Sequence, residues 1–315
     1  MPMTSTRRTE PGLAEAWPSL PVDEWVDTRD TLHMWTQVVG KVRLACAPMV
    51  AHWWQVALYV TSRGLSTSAV PLDGRLFDIE FDFLDHQVQV RSSDGGRRQV
   101  ALEPKPVRAF YEEVMAALAA LDLAVPILAR PVEVERAVPF TDDTEHASYD
   151  PEHARRFWGQ LVAAHRVLSR FRSRFIGKAS PVHFFWGAMD MACTRFSGRT
   201  APPHPGGVPN CADWVMVEAY SHEVSSCGFW PGGSSEGTFY SYAYPEPVDY
   251  ATRPVRPRSA RYDDALGEFV LPYETVRTSR DPEGTLLEFL QSTYEAAANT
   301  GGWDRGSLEF RDAHD

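Results

Sequence analysis

Two hydrophobic periods alternate along this chain, and the alternation occurs twice. From Thr28 the apolar residues Leu32, Trp35, Val39, Val42 and Cys46 step by 3, 4, 3 and 4, the spacing of one face of an α-helix. Further on, Phe77, Ile79, Phe81 and Phe83 alternate with Asp78, Glu80, Asp82 and Leu84, the period of two of a half-buried strand. After Asp150 the helical period returns through Phe157, Leu161, Ala164, Leu168, Phe171 and Phe175, and strand-like stretches follow it. A chain with both periods in succession buries helices against sheets. The predicted fold class is therefore α+β, with antiparallel sheet or sheets covered by about four main helices.

The elements can be placed more closely. Pro48 ends the first helix, and Trp54–Thr61, rich in aromatic and β-branched residues, reads as a strand. Gln87–Arg91 turns through Ser93-Asp94-Gly95-Gly96 into Arg98–Leu102. A helix follows from Pro106 to about Leu121, then a short strand near Val125 and an acidic loop, Thr141–Asp150. Asp150 caps the next helix, with Pro151 at its first position and Glu152 at its positive end. Strands are predicted over Val182–Thr194, Ser221–Phe229 and Phe239–Tyr244. An extended Pro/Arg connector, Arg253–Arg258, leads to a last helix opened by Asp281-Pro282-Glu283 and running to about Ala298.

The order helix, antiparallel strands, helix thus appears in each half. Met34-Trp35-Thr36-Gln37 matches Phe157-Trp158-Gly159-Gln160, and His52-Trp53-Trp54 matches His183-Phe184-Phe185. An internal duplication is the reading these pairs suggest, with a disordered tail over 1–16, a first α+β half over 17–140 and a second over 141–315. The two halves can equally form one compact pseudo-symmetric domain. A ligand site between them is then the natural expectation.

Composition narrows the class. Ten Trp, 11 Tyr and 16 Phe in 315 residues exclude a disordered chain. A net charge of −11 speaks against nucleic acid and anionic membrane as partners. Leu44–Ser62 is the longest stretch without Asp, Glu, Lys or Arg, but Pro48, His52 and Gln55 interrupt it, so no membrane span is expected. Four scattered cysteines without a C-x-x-C pair, and no apolar run behind Arg7 and Arg8, predict a cytoplasmic protein. The acidity is uneven. Residues 151–178 hold seven basic residues and one acid, so that helix carries +6 and the rest of the chain −17.

Several strings are long and distinctive: Trp17-Pro-Ser-Leu-Pro, Thr31-Leu-His-Met-Trp-Thr-Gln-Val-Val-Gly-Lys41, Ser180-Pro-Val-His-Phe-Phe-Trp-Gly187, Thr194-Arg-Phe-Ser-Gly-Arg199, Pro202-Pro-His-Pro-Gly-Gly207 and Tyr220-Ser-His-Glu-Val-Ser-Ser-Cys-Gly-Phe-Trp-Pro-Gly-Gly233. On these the chain resembles the uncharacterised bacterial family known as domain of unknown function 5996, from about Trp17 to Leu308. The resemblance implies no reaction and assigns no site residue.

The candidate site is therefore read from the residues. His222 and Glu223, adjacent on a strand, point to opposite faces and form no ready-made pair. His204 sits in a rigid Pro-Gly turn of the kind that exposes a side chain, and Trp230 opens a second such loop. Tyr240 and Tyr242 share a strand face with Tyr244 and can form an aromatic wall with hydroxyls. Arg195 and Arg199 can hold an anion, as can the basic helix. His222, Glu223 and His204 are the catalytic candidates, with His222 or His204 as base of a hydrolase or transferase. Arg195, Arg199, Trp230, Tyr240 and Tyr242 are the ligand-binding candidates. Catalysis by Cys227 is the weaker reading, since buried inert cysteine is the commoner case. No metal site is expected, because His183, His204, His222 and Glu223 lack ligand spacing. Asp78, Glu80 and Asp82 read as a solvated or arginine-paired face rather than a cation site. A second polar stripe, Arg29, His33, Gln37 and Lys41, reads as the outer face of the first helix. Phosphate-loop, dinucleotide and nucleophile-elbow motifs are absent, so nucleotide-phosphate folds and α/β hydrolases lose ground and the residues name no particular cofactor. The reading is a small polar or anionic ligand in a pocket of Arg, His, Tyr and Trp, on a protein able to be an enzyme. The alternative is a non-catalytic module that docks a partner protein on its aromatic and Pro-Gly surfaces.

Overall fold

The computed structural model describes residues 16–310; the tail expected over residues 1–16 lies outside the described residues except for Ala16. Helix α1 (Val22–Cys46) starts ahead of Thr28, because Pro21 sets the entry and Asp23 and Glu24 suit the positive helix end. The strand expected over Trp54–Thr61 is a 3₁₀ turn, Ala51–Val56, followed by the two-residue β1 (Tyr59–Val60). His52 and Trp53 sit at φ 63° and 58°, in the left-handed region, where an extended strand cannot form.

The first sheet adds β2 (Gly64–Ser66), β3 (Val70–Leu72), β4 (Arg75–Asp82), β5 (Gln87–Ser92) and β6 (Arg97–Ala101). Its order is β1-β2-β4-β5-β6, all antiparallel, with β3 also paired to β4. Phe77, Ile79 and Phe81 are buried, as their alternation requires. They lie with α1 and α2 (Val107–Ala119), where the Trp35 and Phe110 rings stack at 4.6 Å and Phe81 stands 6.2 Å from Phe110. On the other face Arg91 bridges Asp78 at 2.5 Å and Glu80 at 2.8 Å, and Arg63 meets Asp82 at 2.5 Å. These carboxylates are partnered by arginine.

The second half begins with α3 (Pro151–Ser173), capped by the Asp150 carboxylate, which accepts from His153 N–H at 2.9 Å. Then come β7 (His183–Phe185), β8 (Asp190–Thr200), α4 (Asp213–Ala219), β9 (His222–Trp230), β10 (Thr238–Tyr244), β11 (Arg261–Asp263) and β12 (Glu268–Pro272). Helices α5 (Tyr273–Arg277), α6 (Pro282–Thr300) and α7 (Arg305–Leu308) finish the described chain. The strand expected over Val182–Thr194 is a hairpin, because Met189 at φ 60° turns the chain between β7 and β8. Residues 124–130 form no strand, so the one expected near Val125 is absent, and the β11–β12 hairpin and α4 were not legible.

The second sheet, ordered β11-β12-β10-β9-β8-β7, is antiparallel throughout. Its two faces have different fates. Met191, Cys193, Cys227, Phe229 and Phe239 are buried on the side where α3 and α6 pack. Ala192, Thr194, Phe196, Ser226, Tyr240 and Tyr242 alternate with them and face a cavity instead. Leu58 and Phe184 exchange backbone hydrogen bonds of 2.9 and 2.8 Å, which ties the start of the first sheet to β7. A single hydrophobic core takes in residues from Trp17 to Trp303.

Arg195 belongs to the helix-covered face. It is 1% exposed, its guanidinium lies 3.4 Å from the Phe171 ring centre and 4.4 Å from that of Tyr294, and it donates to the Phe171 carbonyl. Arg195→Ala is therefore expected to destabilise the fold by about 2–5 kcal/mol, the cost of an emptied core position. Arg195→Met, which keeps the stem and removes the buried charge, should retain most of that stability. Urea denaturation midpoints of the two variants check the difference.

Candidate functional site

The face of the second sheet against which no long helix packs forms the floor of a cavity of about 800 Å³. β8 contributes Asp190, Ala192, Thr194 and Phe196; β9 contributes Val224 and Ser226; β10 contributes Thr238, Tyr240 and Tyr242; β12 contributes Glu268 and Val270. All are alternate residues of their strands, so one register decision sets the whole floor. The walls come from elsewhere: Trp53 and Trp54 of the 3₁₀ turn, Leu128, Val132 and Glu133, the Phe185–Ala188 turn, Asn210 to Ala212, and Val215, Met216 and Ala219 of α4.

At the centre of the floor the Tyr240 hydroxyl donates to the Asp190 carboxylate. Gly228 makes this contact feasible. A Cβ there would stand 2.5 Å from Tyr240 Oη and 2.0 Å from the Met191 carbonyl oxygen, so only glycine lets the ring lie across β9. Tyr240 and Tyr242 stack at 6.1 Å, and the Tyr242 and Tyr220 hydroxyls share a 2.7 Å hydrogen bond. Thr194 and Ser226, directly opposite on β8 and β9, bond through their hydroxyls at 2.8 Å.

Burial pushes the Asp190 carboxyl up to about 6 against the lowering effect of the Tyr240 donor. Glu133 and Glu268 line the same cavity, and burial together with the nearby Asp190 charge pushes each up to about 7. Among the described residues no cation pairs with any of these three. Three carboxyls near neutrality, set among aromatic rings, can exchange protons with a bound molecule at physiological pH. Among the described residues, no group of three or more His, Cys, Asp or Glu side chains could hold a metal ion.

The cavity is closed by contacts from α1. His33 Nε2 donates to the Gly187 carbonyl at 2.8 Å, while the Gln37 side chain donates to the Val132 carbonyl and accepts its N–H, both at 2.8 Å. Lys41, next along the same stripe, lines the cavity and is 4% exposed. Of the stripe expected on the outer face of the helix, His33, Gln37 and Lys41 are thus turned inward, while Arg29 is half-buried and pairs with Asp30. At the far end of the floor His52 donates through Nδ1 to the Ala219 carbonyl at 3.0 Å and accepts from Lys178 at 2.7 Å. Burial, and next the Lys178 charge, hold this imidazole below the ordinary histidine range, while the Ala219 carbonyl opposes them.

The sequence candidates divide accordingly. Trp230, Tyr240 and Tyr242 line the cavity. His222 projects from the same sheet face but beyond the lining, with its ring 5.6 Å from that of His52 and its Nδ1 3.1 Å from Ser221 Oγ. His204 stacks on Tyr220 at 4.7 Å, and its Nδ1 accepts from Gly206 N–H at 3.0 Å. Glu223 takes the opposite face and pairs with Arg199 at 2.6 Å. Arg199 also donates to the Gly301 and Gly302 carbonyls at the end of α6, at 2.5 and 3.2 Å. Arg195 lies under the helices, so the two arginines expected to hold an anion do not meet in the cavity. The basic helix serves internal contacts: Arg166 and Arg170 reach Glu283 at 2.5 and 2.8 Å, Arg156 pairs with Glu152, and Arg172 donates to the Ser180 carbonyl. Cys227 is buried on the helix side, its thiol pushed well up by burial.

Asp190, Glu133, Glu268 and Lys41 were not among the predicted site residues. One signal could have found the first: Asp190 is the sole Asp, Glu, Lys or Arg between Lys178 and Arg195, a lone charge in an apolar run.

The fold and site define an α+β protein of two antiparallel sheets with a large aromatic cavity on one of them. Residues 17–310 match a family of unknown function, DUF5996, and the chain belongs to that family. No match is found among curated proteins or solved structures. No described helix is long and apolar enough to cross a membrane.

The raised carboxyls have a measurable consequence. Between pH 4.5 and 7 the folded protein holds protons on Glu133 and Glu268 that the unfolded chain has released, so their contribution to stability is lost as pH rises through that window. The double variant Glu133→Gln/Glu268→Gln is expected to melt a few degrees above the parent at pH 7.5 and together with it at pH 4. Thermal denaturation across that range checks this, and a constant offset would contradict it.

Proposed function

We propose that the cavity binds a small, largely apolar molecule whose hydroxyl or ammonium group is held by the Asp190–Tyr240 pair. The observation that supports this most is the uncovered face of the second sheet. A face of this kind is ordinarily covered by a helix or solvated. Here it bears a buried carboxyl and stacked tyrosines under a wall of tryptophans, the mix of apolar lining and few polar groups that small-ligand sites have. Sign matters as well. Glu133, Asp190, Asp263 and Glu268 outnumber Lys41 and Arg261 in the lining, which favours a hydrogen-bond-donating or cationic group over the anionic one expected from Arg195 and Arg199. The mouth supports an apolar body: Leu128 and Leu266 are 74% and 56% exposed, and Trp230 is 40% exposed.

Carboxyls near neutrality also support an acid–base enzyme, with Asp190 or Glu133 as the proton-exchanging group. The same order of helix, antiparallel sheet and helix on each side of residue 140 supports a duplicated unit, with the cavity walled by pieces of both copies. Four free cysteines fit the cytoplasmic location.

Ligand addition should quench tryptophan fluorescence, because Trp53, Trp54, Trp186 and Trp230 surround the space. Phenethylamine and cinnamyl alcohol are expected to bind, with benzoate weaker at pH 7.5. Asp190→Asn should weaken phenethylamine about tenfold or more while altering the alcohol less, in line with loss of a charge-assisted contact. Equal affinities for amine and benzoate, unchanged in Asp190→Asn, would remove the basis of this reading.

A further inference from the structure

We propose that Lys41 is a carbonyl-capturing amine, and that the cavity holds a small apolar aldehyde or ketone as an imine on its Nζ. The chain has three lysines and 28 arginines, so lysine marks few places. Lys105 is fixed by Glu113 at 2.6 Å and Glu103 at 3.6 Å. Lys178 donates to His52 and lies over the Trp54 and Phe196 rings at 5.4 and 4.9 Å. Lys41 has no hydrogen bond or ion pair among the described residues, is 4% exposed, and lines the cavity with the Trp186 ring centre 5.8 Å from its Nζ. Its ammonium thus meets the Trp186 face and the cavity but no hydrogen-bond acceptor, an unfavourable place for a charge drawn out of water.

The surroundings are rigid. One residue before Lys41, Gly40 lies flat against the Trp186 indole, where a Cβ would stand 2.3 Å from the ring. That indole donates to the Val56 carbonyl at 2.8 Å. One and two turns earlier, Gln37 and His33 clasp Val132 and Gly187. The stem of Lys41 therefore leaves a fixed helix next to a fixed wall, as a positioned nucleophile requires. Desolvation lowers the amine below the ordinary lysine range, which raises the share of neutral nucleophile. Arginine has no such neutral form, and it carries most of the ion pairs among the described residues.

The step balances without a redox partner. The Nζ lone pair forms a C–N bond with the carbonyl carbon, and a proton passes from nitrogen to oxygen. The carbinolamine then loses water as the C–O bond breaks and C=N forms. The departing oxygen needs a proton, and Glu133, a carboxyl of the same cavity held up to about 7, can supply it. Hydrolysis reverses the sequence.

The inference rests on the cavity admitting a small apolar molecule, so the test separates the two. The full chain is incubated with cinnamaldehyde, reduced with cyanoborohydride and mapped by mass spectrometry. An adduct on Lys41 at least tenfold above those on Lys105, Lys178 and the α-amine is expected. It should rise with pH as the amine loses its proton and fall again once Glu133 is ionised, be suppressed by excess cinnamyl alcohol at Lys41 alone, and vanish in Lys41→Arg. Lys41→Met should melt at or above the parent, since it removes an unpaired buried charge. If cinnamyl alcohol quenches the tryptophans but the adduct is missing or spread evenly over the amines, the imine is refuted and the pocket stands. If cinnamate binding depends on Lys41 and no adduct forms, Lys41 is an anion site and the imine is refuted. If neither alcohol nor aldehyde binds, both readings fall. The competition experiment on the parent chain decides the matter should either variant fail to fold.

Discussion

A carboxyl group under aromatic rings is the constraint on which the cavity floor depends. Raising Asp190 from its usual range to about 6 corresponds to on the order of 3 kcal/mol against its ionised form. That figure is what remains after one donor, Tyr240, has offset part of the burial cost, and Tyr240 reaches Asp190 only because β9 offers Gly228 beneath it. Asp190, Gly228 and Tyr240 stand on three neighbouring strands, so the contact also requires the register of β8, β9 and β10 to be correct. A slip of one residue would send Tyr240 under the helices and bring Phe239 to the cavity.

Register also explains why the two faces of this sheet differ so sharply. The odd-numbered residues Met191, Cys193, Cys227, Phe229 and Phe239 suit a dry helix interface, and they are buried there. Arg195 is the exception in chemistry but not in place: three aromatic rings and the Phe171 carbonyl accommodate its guanidinium. The even-numbered residues carry hydroxyls and carboxyls. They would be poor helix partners, and the chain folds loops and short helices over them at a distance, leaving space rather than a packed layer.

Much of this was legible in the residues, and the division follows from physics. Strong local signals were enough for α1, α3 and β4, since a stripe of 3.5 spacing or a strict alternation has no competing reading. The Asp150 and Asp281 caps were readable because capping is a contact with residues three positions away. The 3₁₀ turn over Ala51–Val56 was misread because its tryptophans have strand propensity, while two left-handed backbone positions, imposed by tertiary packing, override it. Of the cavity lining, Tyr240, Tyr242 and Trp230 could be singled out through strand alternation and loop chemistry. Glu133 and Lys41 were not, because each comes from a segment far from β8–β10 in sequence, and only the folded chain brings them to one space.

The inward turn of the α1 stripe shows why spacing alone misassigns such residues. Arg29, His33, Gln37 and Lys41 at every fourth position look like a solvated face, and in most helices polar residues so spaced are one. Here His33 and Gln37 find backbone carbonyls of the Trp186–Gly187 turn and of Val132. A buried polar side chain costs little once its hydrogen bonds are made. Lys41 is different, since the same helix carries it inward without giving it a partner. A fold that satisfies His33 and Gln37 with such care, and that gives its other two lysines hydrogen bonds, leaves one ammonium with only the Trp186 face beside it, in a cavity that already holds carboxyls near neutrality. That combination is costly for stability and useful for chemistry on a bound molecule, which is the usual sense of a strained polar group at a site.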